Sequence, residues 1–294
     1  ICVYVDDLIL ISHEPKKIID RLSDPKGPHR YKFKGVGPIE YHLGGNFKRD
    51  PDGTLVYSAE TYVKKLVENY ERMFGEKPKP CNCPLRPEDH PELDMSPELD
   101  AGGIQQYQSL IGAQQWAISL CRFDIHVATM TLGRFRTAPR KGHLDRAKRI
   151  IGYLMAHPDA GIRFRTDIPD YTGLEMPRYD WMYSVYGDPV EELDPDDPPP
   201  LGKMVRTTTF KDANLIQDYI TGRSACGIIH LLNQTPIGWF SKRLATVETA
   251  TYGSELVTAH QAVEQIIDLH ITLRSLGVPL EHTIEYGKCV QALT

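Results

Sequence analysis

The sequence lacks any excess of positive charge: across 294 residues, 34 Lys and Arg stand against 39 Asp and Glu, a net charge of −5. A small basic protein whose whole surface attracts phosphate is therefore disfavoured, although acidic stretches can mask a local basic face. No apolar run reaches the ~20 residues that cross a membrane, and no signal peptide opens the chain, so no membrane partner is expected. Cysteine is sparse as well. Cys2, Cys81, Cys83, Cys121, Cys226 and Cys289 are scattered without framework spacing, which predicts reduced thiols and a cytoplasmic or nuclear location. Cys81 and Cys83 have no second Cys/His pair at zinc spacing, so no zinc site is expected. The glycosylation sequon Asn233-Gln234-Thr235 carries no weight in a chain that is not secreted.

What is present begins at once. Tyr4-Val5-Asp6-Asp7 lies between the apolar stretches Ile1-Cys2-Val3 and Leu8-Ile9-Leu10-Ile11. Neighbouring carboxylates raise each other's cost of ionisation, and strands favour residues that suit one face or the other. A tight hairpin presenting both carboxylates to a divalent metal resolves the conflict, because the metal supplies the missing positive charge. The alternative is a plain turn with two solvated aspartates.

Composition is that of a globular chain, 41% hydrophobic and 25% charged, long enough for two domains. Spacing predicts a short helix over 15–22, a strand over Tyr31-Lys32-Phe33-Lys34, further extended chain over 41–47 and 54–57 around the turn Asp50-Pro51-Asp52-Gly53, and a helix from about Ala59 capped by Ser58. A Pro- and acid-rich loop is expected over 77–103. Helices should follow over 104–135, broken near Cys121, and over 141–155, the latter with a basic stripe of Arg146, Lys148 and Arg149. A strand is expected at 161–164. Residues 167–202 read as a linker, ending in Asp194-Pro195-Asp196-Asp197-Pro198-Pro199-Pro200. Beyond it, strands near 207–210, 228–232 and 237–241 precede a long helix over 250–276 stopped by Gly277, with a last strand from His282.

Taken in order, these segments resemble copia-type LTR-retrotransposon Pol polyproteins. Tyr4-Val5-Asp6-Asp7 is similar to the polymerase hairpin of their reverse transcriptases, and Leu43-Gly44-Gly45 to the primer-grip turn that follows it. Tyr107-x-x-Leu110-Ile111-Gly112, Arg122-Phe123-Asp124-Ile125 and Ala147-Lys148-Arg149-Ile150-x-x-Tyr153-Leu154 resemble the segment between polymerase and ribonuclease H. Asp212-Ala213-Asn214, Thr221-Gly222-Arg223-Ser224, Trp239-Phe240-Ser241-Lys242 and the run from Glu248 to Glu255 look like the family's ribonuclease H. The resemblance covers nearly the whole chain; each motif alone is weak, and their order carries the match.

It implies an α+β or α/β multidomain protein: residues 1–57 from the polymerase palm, 58–166 a helical thumb and connection, 167–202 a linker, and 203–294 a ribonuclease H-like domain incomplete at its C-terminus. The implied chemistry is templated nucleotidyl transfer and hydrolysis of RNA in RNA–DNA hybrids, each using two Mg²⁺ (or Mn²⁺) ions about 4 Å apart. Asp6 and Asp7 would be metal ligands of the first site, and Asp212 and Glu255 of the second, with Glu248 competing for the place of Glu255. Gly44, Gly45, Lys64, Lys65, Arg146, Lys148, Arg149, Arg223 and Lys242 would contact a hybrid or DNA duplex, the charged residues meeting phosphates without reading sequence. For any single charged pair, a solvated helix face explains the residues as well. The remainder of the polyprotein is the other implied partner, and a cytoplasmic virus-like particle the implied setting.

Two departures weigh against activity. The family's third polymerase aspartate and its nucleotide-holding fingers are absent from these residues. Where the ribonuclease H family has a Gly-Asp-Asn-like step, this sequence reads Ile284-Glu285-Tyr286-Gly287-Lys288-Cys289-Val290, and the Lys288 charge would repel metal. Glu285 does not substitute, because a one-residue shift reverses a strand side chain's face. The fourth metal-site acid would lie beyond Thr294. The chain alone is therefore expected to be inactive, and a non-catalytic duplex-binding remnant is the alternative. A relic whose N-terminal part lacks a stable core is a third reading.

Overall fold

A computed structural model describes residues 1–28, 30–170, 194–281 and the backbone of 290–291. The architecture is mixed α and β with mainly antiparallel sheets. A two-residue turn joins β1 (Cys2–Tyr4) to β2 (Asp7–Ile9), with Tyr4 opposite Asp7. This hairpin forms a sheet of its own, and Val3, Val5 and Ile11 are exposed. Helix α1 (Pro15–Ser23) follows, with proline in its first turn where a missing N–H costs nothing. The strand expected over Tyr31–Lys34 is not formed. Alternation alone does not make a strand, and among the described residues no strand pairs with this backbone.

A second sheet runs in the order β3 (Tyr41–His42), β4 (Gly45–Arg49), β5 (Leu55–Ser58), β6 (Gly161–Arg163). Because β6 pairs with β5, it joins residues on both sides of the expected boundary at 57/58. Helix α2 (Glu60–Phe74) follows β5 with Ala59 at its N-cap, so Ser58 is not the cap. Instead the Asn46 carboxamide reaches across from β4: its Oδ1 accepts from the Thr61 N–H at 2.8 Å, and its Nδ2 donates to the Thr61 hydroxyl at 2.9 Å. An N-terminal donor needs an oxygen but does not care how far away in sequence it lies.

Helices α3 (Ala101–Ser119), α4 (His126–Gly133) and α5 (Lys141–Ala156) complete the first core. Tyr107, Leu110, Ile111, Ile125, Leu132, Ile150 and Leu154 are almost wholly buried there, together with Val63 and Leu66 of α2. The expected break falls at Cys121, whose φ of 88° ends α3. Arg122, fully buried, holds the corner: it donates to Asp124 at 2.7 Å and to the His157 carbonyl at 2.8 Å.

The third sheet has the order β10 (Val290–Gln291), β7 (Thr207–Asp218), β8 (Arg223–Leu232), β9 (Thr235–Arg243). The last three form an antiparallel meander, and β10 lies parallel to β7, which demands a crossover. Helix α6 (Thr251–Ser275) lies against β7 and β8 within that crossover. Trp239 of β9 packs against Phe123, bringing this sheet onto the helical core with ring centroids 5.0 Å apart.

Candidate functional site

The Asp6-Asp7 pair sits at the hairpin tip. Asp6 lies in the turn and Asp7 opens β2, both exposed. Val5 has φ 51°, a left-handed conformation costly for a β-branched residue, at the first position of the turn that carries Asp6. Asp7 lies 3.8 Å from His42 Nδ1, and the Tyr4 ring meets the same histidine edge-on. The hairpin thereby rests on β3 beside the Leu43-Gly44-Gly45 turn.

Those glycines are used within the chain. Gly45 is buried, and a Cβ there would lie 2.0 Å from the Tyr57 ring. Gly44, at φ 93°, faces Leu120, which an added Cβ would approach to 3.2 Å. The close approach that glycine permits is here made by Tyr57 and Leu120.

The basic residues divide into bound and free. Arg146 of α5 forms a fork on Asp89 with contacts of 2.8–3.0 Å and also binds Asp94, clasping the 77–100 loop to the helix. Lys148 lies 3.4 Å from Glu76 and 3.9 Å from the centre of the Phe74 ring. The Arg149 Nε donates to the Cys83 carbonyl at 3.1 Å. These three line one open cleft of about 580 Å³ with Tyr70, Lys79 and Arg86. Lys64 pairs with Glu60 one turn earlier, whereas Lys65 is exposed. Arg223 starts β8, half-buried, and Lys242 is exposed on β9.

Asp212 and Glu255 are not brought together. Along β7, Thr207 bonds His270 of α6 at 2.7 Å, and Thr209 bonds His230, which meets Gln265 of α6. Odd-numbered residues thus face the helix, and strand alternation sends Asp212 to the other side, where it is exposed. The residue that meets Glu255 is Lys211. Its ammonium binds the Glu255 carboxylate and lies 3.4 Å from the same residue's carbonyl. Sequence reading overlooked this lysine, although the period-2 pattern through Thr207 and Thr209 places it on that face. Glu248 precedes α6, its carboxylate lying over Gly253 in the first turn. Among the described residues, no three His, Cys, Asp or Glu side chains converge where they could hold a metal ion. Asp212 and Glu255 lie on different sides of β7, and Lys211 rather than a second acid stands beside Glu255. Glu285 and Lys288 lie outside the described residues.

One further polar cluster was invisible in the motifs. Asp218, at the end of β7, has a side chain only 1% exposed and accepts from Arg134 at 2.6 Å and from Arg243. Backbone N–H groups of Ile220 and Thr221 donate to its other oxygen. Burial alone would raise its pKa, but hydrogen bonds from Thr221 and Arg243 and the Arg134 charge prevail and hold it at about 2.

Against this geometry stand the relatives. A transposon Ty5-1 protein of Saccharomyces cerevisiae is 26% identical over 271 residues, 90% of this chain and 73% of the yeast protein. The retrovirus-related Pol polyprotein from transposon RE1 of Arabidopsis thaliana is 29% identical over 281 residues, 95% of this chain but 16% of that polyprotein. Its counterpart from transposon TNT 1-94 of Nicotiana tabacum is 22% identical over 97% of this chain and 19% of its own length. The chain thus has Ty5/copia-type retrotransposon Pol polyproteins as homologues across most of its length, while spanning less than a fifth of those two polyproteins. No family model matches it, and no solved structure matches it. Among the described residues, no helix is long and apolar enough to cross a membrane.

Proposed function

We propose that these residues correspond to the part of a retrotransposon Pol polyprotein that runs from the end of the reverse-transcriptase palm, through thumb and connection helices, into a ribonuclease H-like unit. The single observation that carries this reading is the coincidence of motif order with element order. The Asp-Asp pair sits on a hairpin tip, the Gly-Gly turn follows it, and the last unit is a three-stranded meander followed by a helix and a strand parallel to β7. In that lineage the work is RNA-directed DNA synthesis and hydrolysis of RNA in a hybrid, with Mg²⁺ supplying charge neutralisation.

As a separate 294-residue protein, the chain catalyses neither step on this reading. Two exposed carboxylates on a hairpin cannot assemble the converging ligand set that two-metal transfer needs, and Glu255 is already engaged by Lys211. Supplying a primed RNA template, dNTPs and Mg²⁺ or Mn²⁺ should yield no primer extension; incorporation of nucleotide would sink this reading.

A second role, gripping duplex without cutting it, is favoured by Lys65 and Lys242. Both are exposed, and neither ammonium group has a hydrogen-bond or ion-pair partner among the described residues. Affinity for an RNA–DNA hybrid that weakens steeply with salt would support it, because phosphate contacts release counterions. Affinity insensitive to salt would oppose it.

A further inference from the structure

We infer that Lys211 is the built-in counter-ion of Glu255, so that the junction of β7 and α6 is a metal-independent clasp closed to divalent cations. The inference rests on the reading above only for the expectation that Glu255 would ligate a metal; the clasp itself is a matter of geometry.

Three observations carry it. The Lys211 side chain is only 10% exposed, and its ammonium lies against both the carboxylate and the carbonyl of Glu255. It is the third in a row of β7 residues turned toward α6, after Thr207 and Thr209, so its position is fixed by strand register and by two hydrogen-bonded neighbours. Asp212, the acid that would be needed to share a metal with Glu255, is on the opposite face and exposed.

A divalent cation entering here would meet a desolvated ammonium at close range, a like-charge contact that low local dielectric makes severe. Expelling the ammonium would leave a buried cation without its partner. The site therefore holds its charge balance without metal, and the same pair ties the first turns of α6 to the sheet.

The test uses the full chain and two readouts. Thermal unfolding is followed for the wild type, Lys211→Met, Glu255→Gln and the double variant, with and without 10 mM MgCl₂. Lys211→Arg keeps the charge and guards against simple loss of folding. Free Mn²⁺ is measured by electron paramagnetic resonance for the wild type and Glu255→Gln. Each single variant should lower the midpoint by several degrees, the double variant should lose less than the sum, and Lys211→Arg should lose less than Lys211→Met. Mg²⁺ should not shift the wild-type midpoint, and the wild type and Glu255→Gln should leave equal free Mn²⁺. Additive losses, or wild-type Mn²⁺ binding that disappears in Glu255→Gln, would overturn the inference. Failure of the reading above would appear separately, as nucleotide incorporation on the primed template, with these results unchanged.

Discussion

Arg134, immediately after α4, donates to the buried carboxylate of Asp218 at the end of β7, across 84 residues of sequence. With Arg243 on the same oxygen, the pair fastens the C-terminal sheet to the helical core. Close by, the Tyr219 ring stacks on His90 at 3.9 Å, and the Tyr219 N–H donates to Glu92.

Asp218→Asn should therefore do more than weaken one bond. It removes the carboxylate that Arg134 and Arg243 share and leaves Glu92 as the remaining anion acting on Arg134, and loss of one partner from a buried pair costs about 3–5 kcal/mol. Urea unfolding should show that loss. Limited proteolysis within 167–202 should leave the two halves associated in the wild type and release them in the variant. Halves that separate equally readily in both proteins would show that the contact does not bind them.

The same residue sets an acid limit. Its carboxyl titrates near 2 when folded, below the ordinary 3.8, so its stabilisation is complete above pH ~4 and fades as pH falls toward 2. The shift corresponds to on the order of 2 kcal/mol. Stability measured from pH 5 to 2 should fall less steeply in Asp218→Asn than in the wild type. Equal slopes would remove Asp218 from the explanation.

Gly45→Ala probes whether the Gly-Gly turn is a packing device. The new methyl group would run into the Tyr57 ring, which is itself held against Phe47 at 4.9 Å. A loss of about 1–3 kcal/mol is expected, and Tyr57→Leu in the same chain should recover part of it. An unchanged unfolding midpoint in Gly45→Ala would contradict the packing role.

The hairpin offers the converse experiment. Val3 and Ile11 are 65% and 90% exposed, so they add little to the fold but offer apolar surface to other molecules. Replacing both with lysine should raise the concentration at which light scattering detects aggregates and move stability by no more than about 0.5 kcal/mol. A large destabilisation would mean that the apolar side chains are covered in solution.

What the sequence revealed was mostly local. The hairpin, the break at Cys121 and the long helix α6 follow from spacing within a few residues, and all are present. Contacts between distant residues were hidden. The cap of α2 comes from Asn46 rather than the adjacent Ser58, and Arg146 is held by Asp89 and Asp94, more than 50 residues away, in a loop clasp that spacing along α5 did not indicate. The acids expected to ligate metal, Asp212 and Glu255, depended on a finer distinction. A one-residue step along β7 separates Lys211, facing α6, from Asp212, facing away, and the polyprotein resemblance addresses only the second.

The most direct measurement of catalytic competence incubates the intact chain with a labelled RNA–DNA hybrid and Mg²⁺, beside the Asp212→Asn and Glu255→Gln variants. The RNA strand should remain whole in all three samples. Cleavage by the wild type that disappears in either variant would show that these carboxylates do converge on metal, contrary to the Lys211–Glu255 clasp.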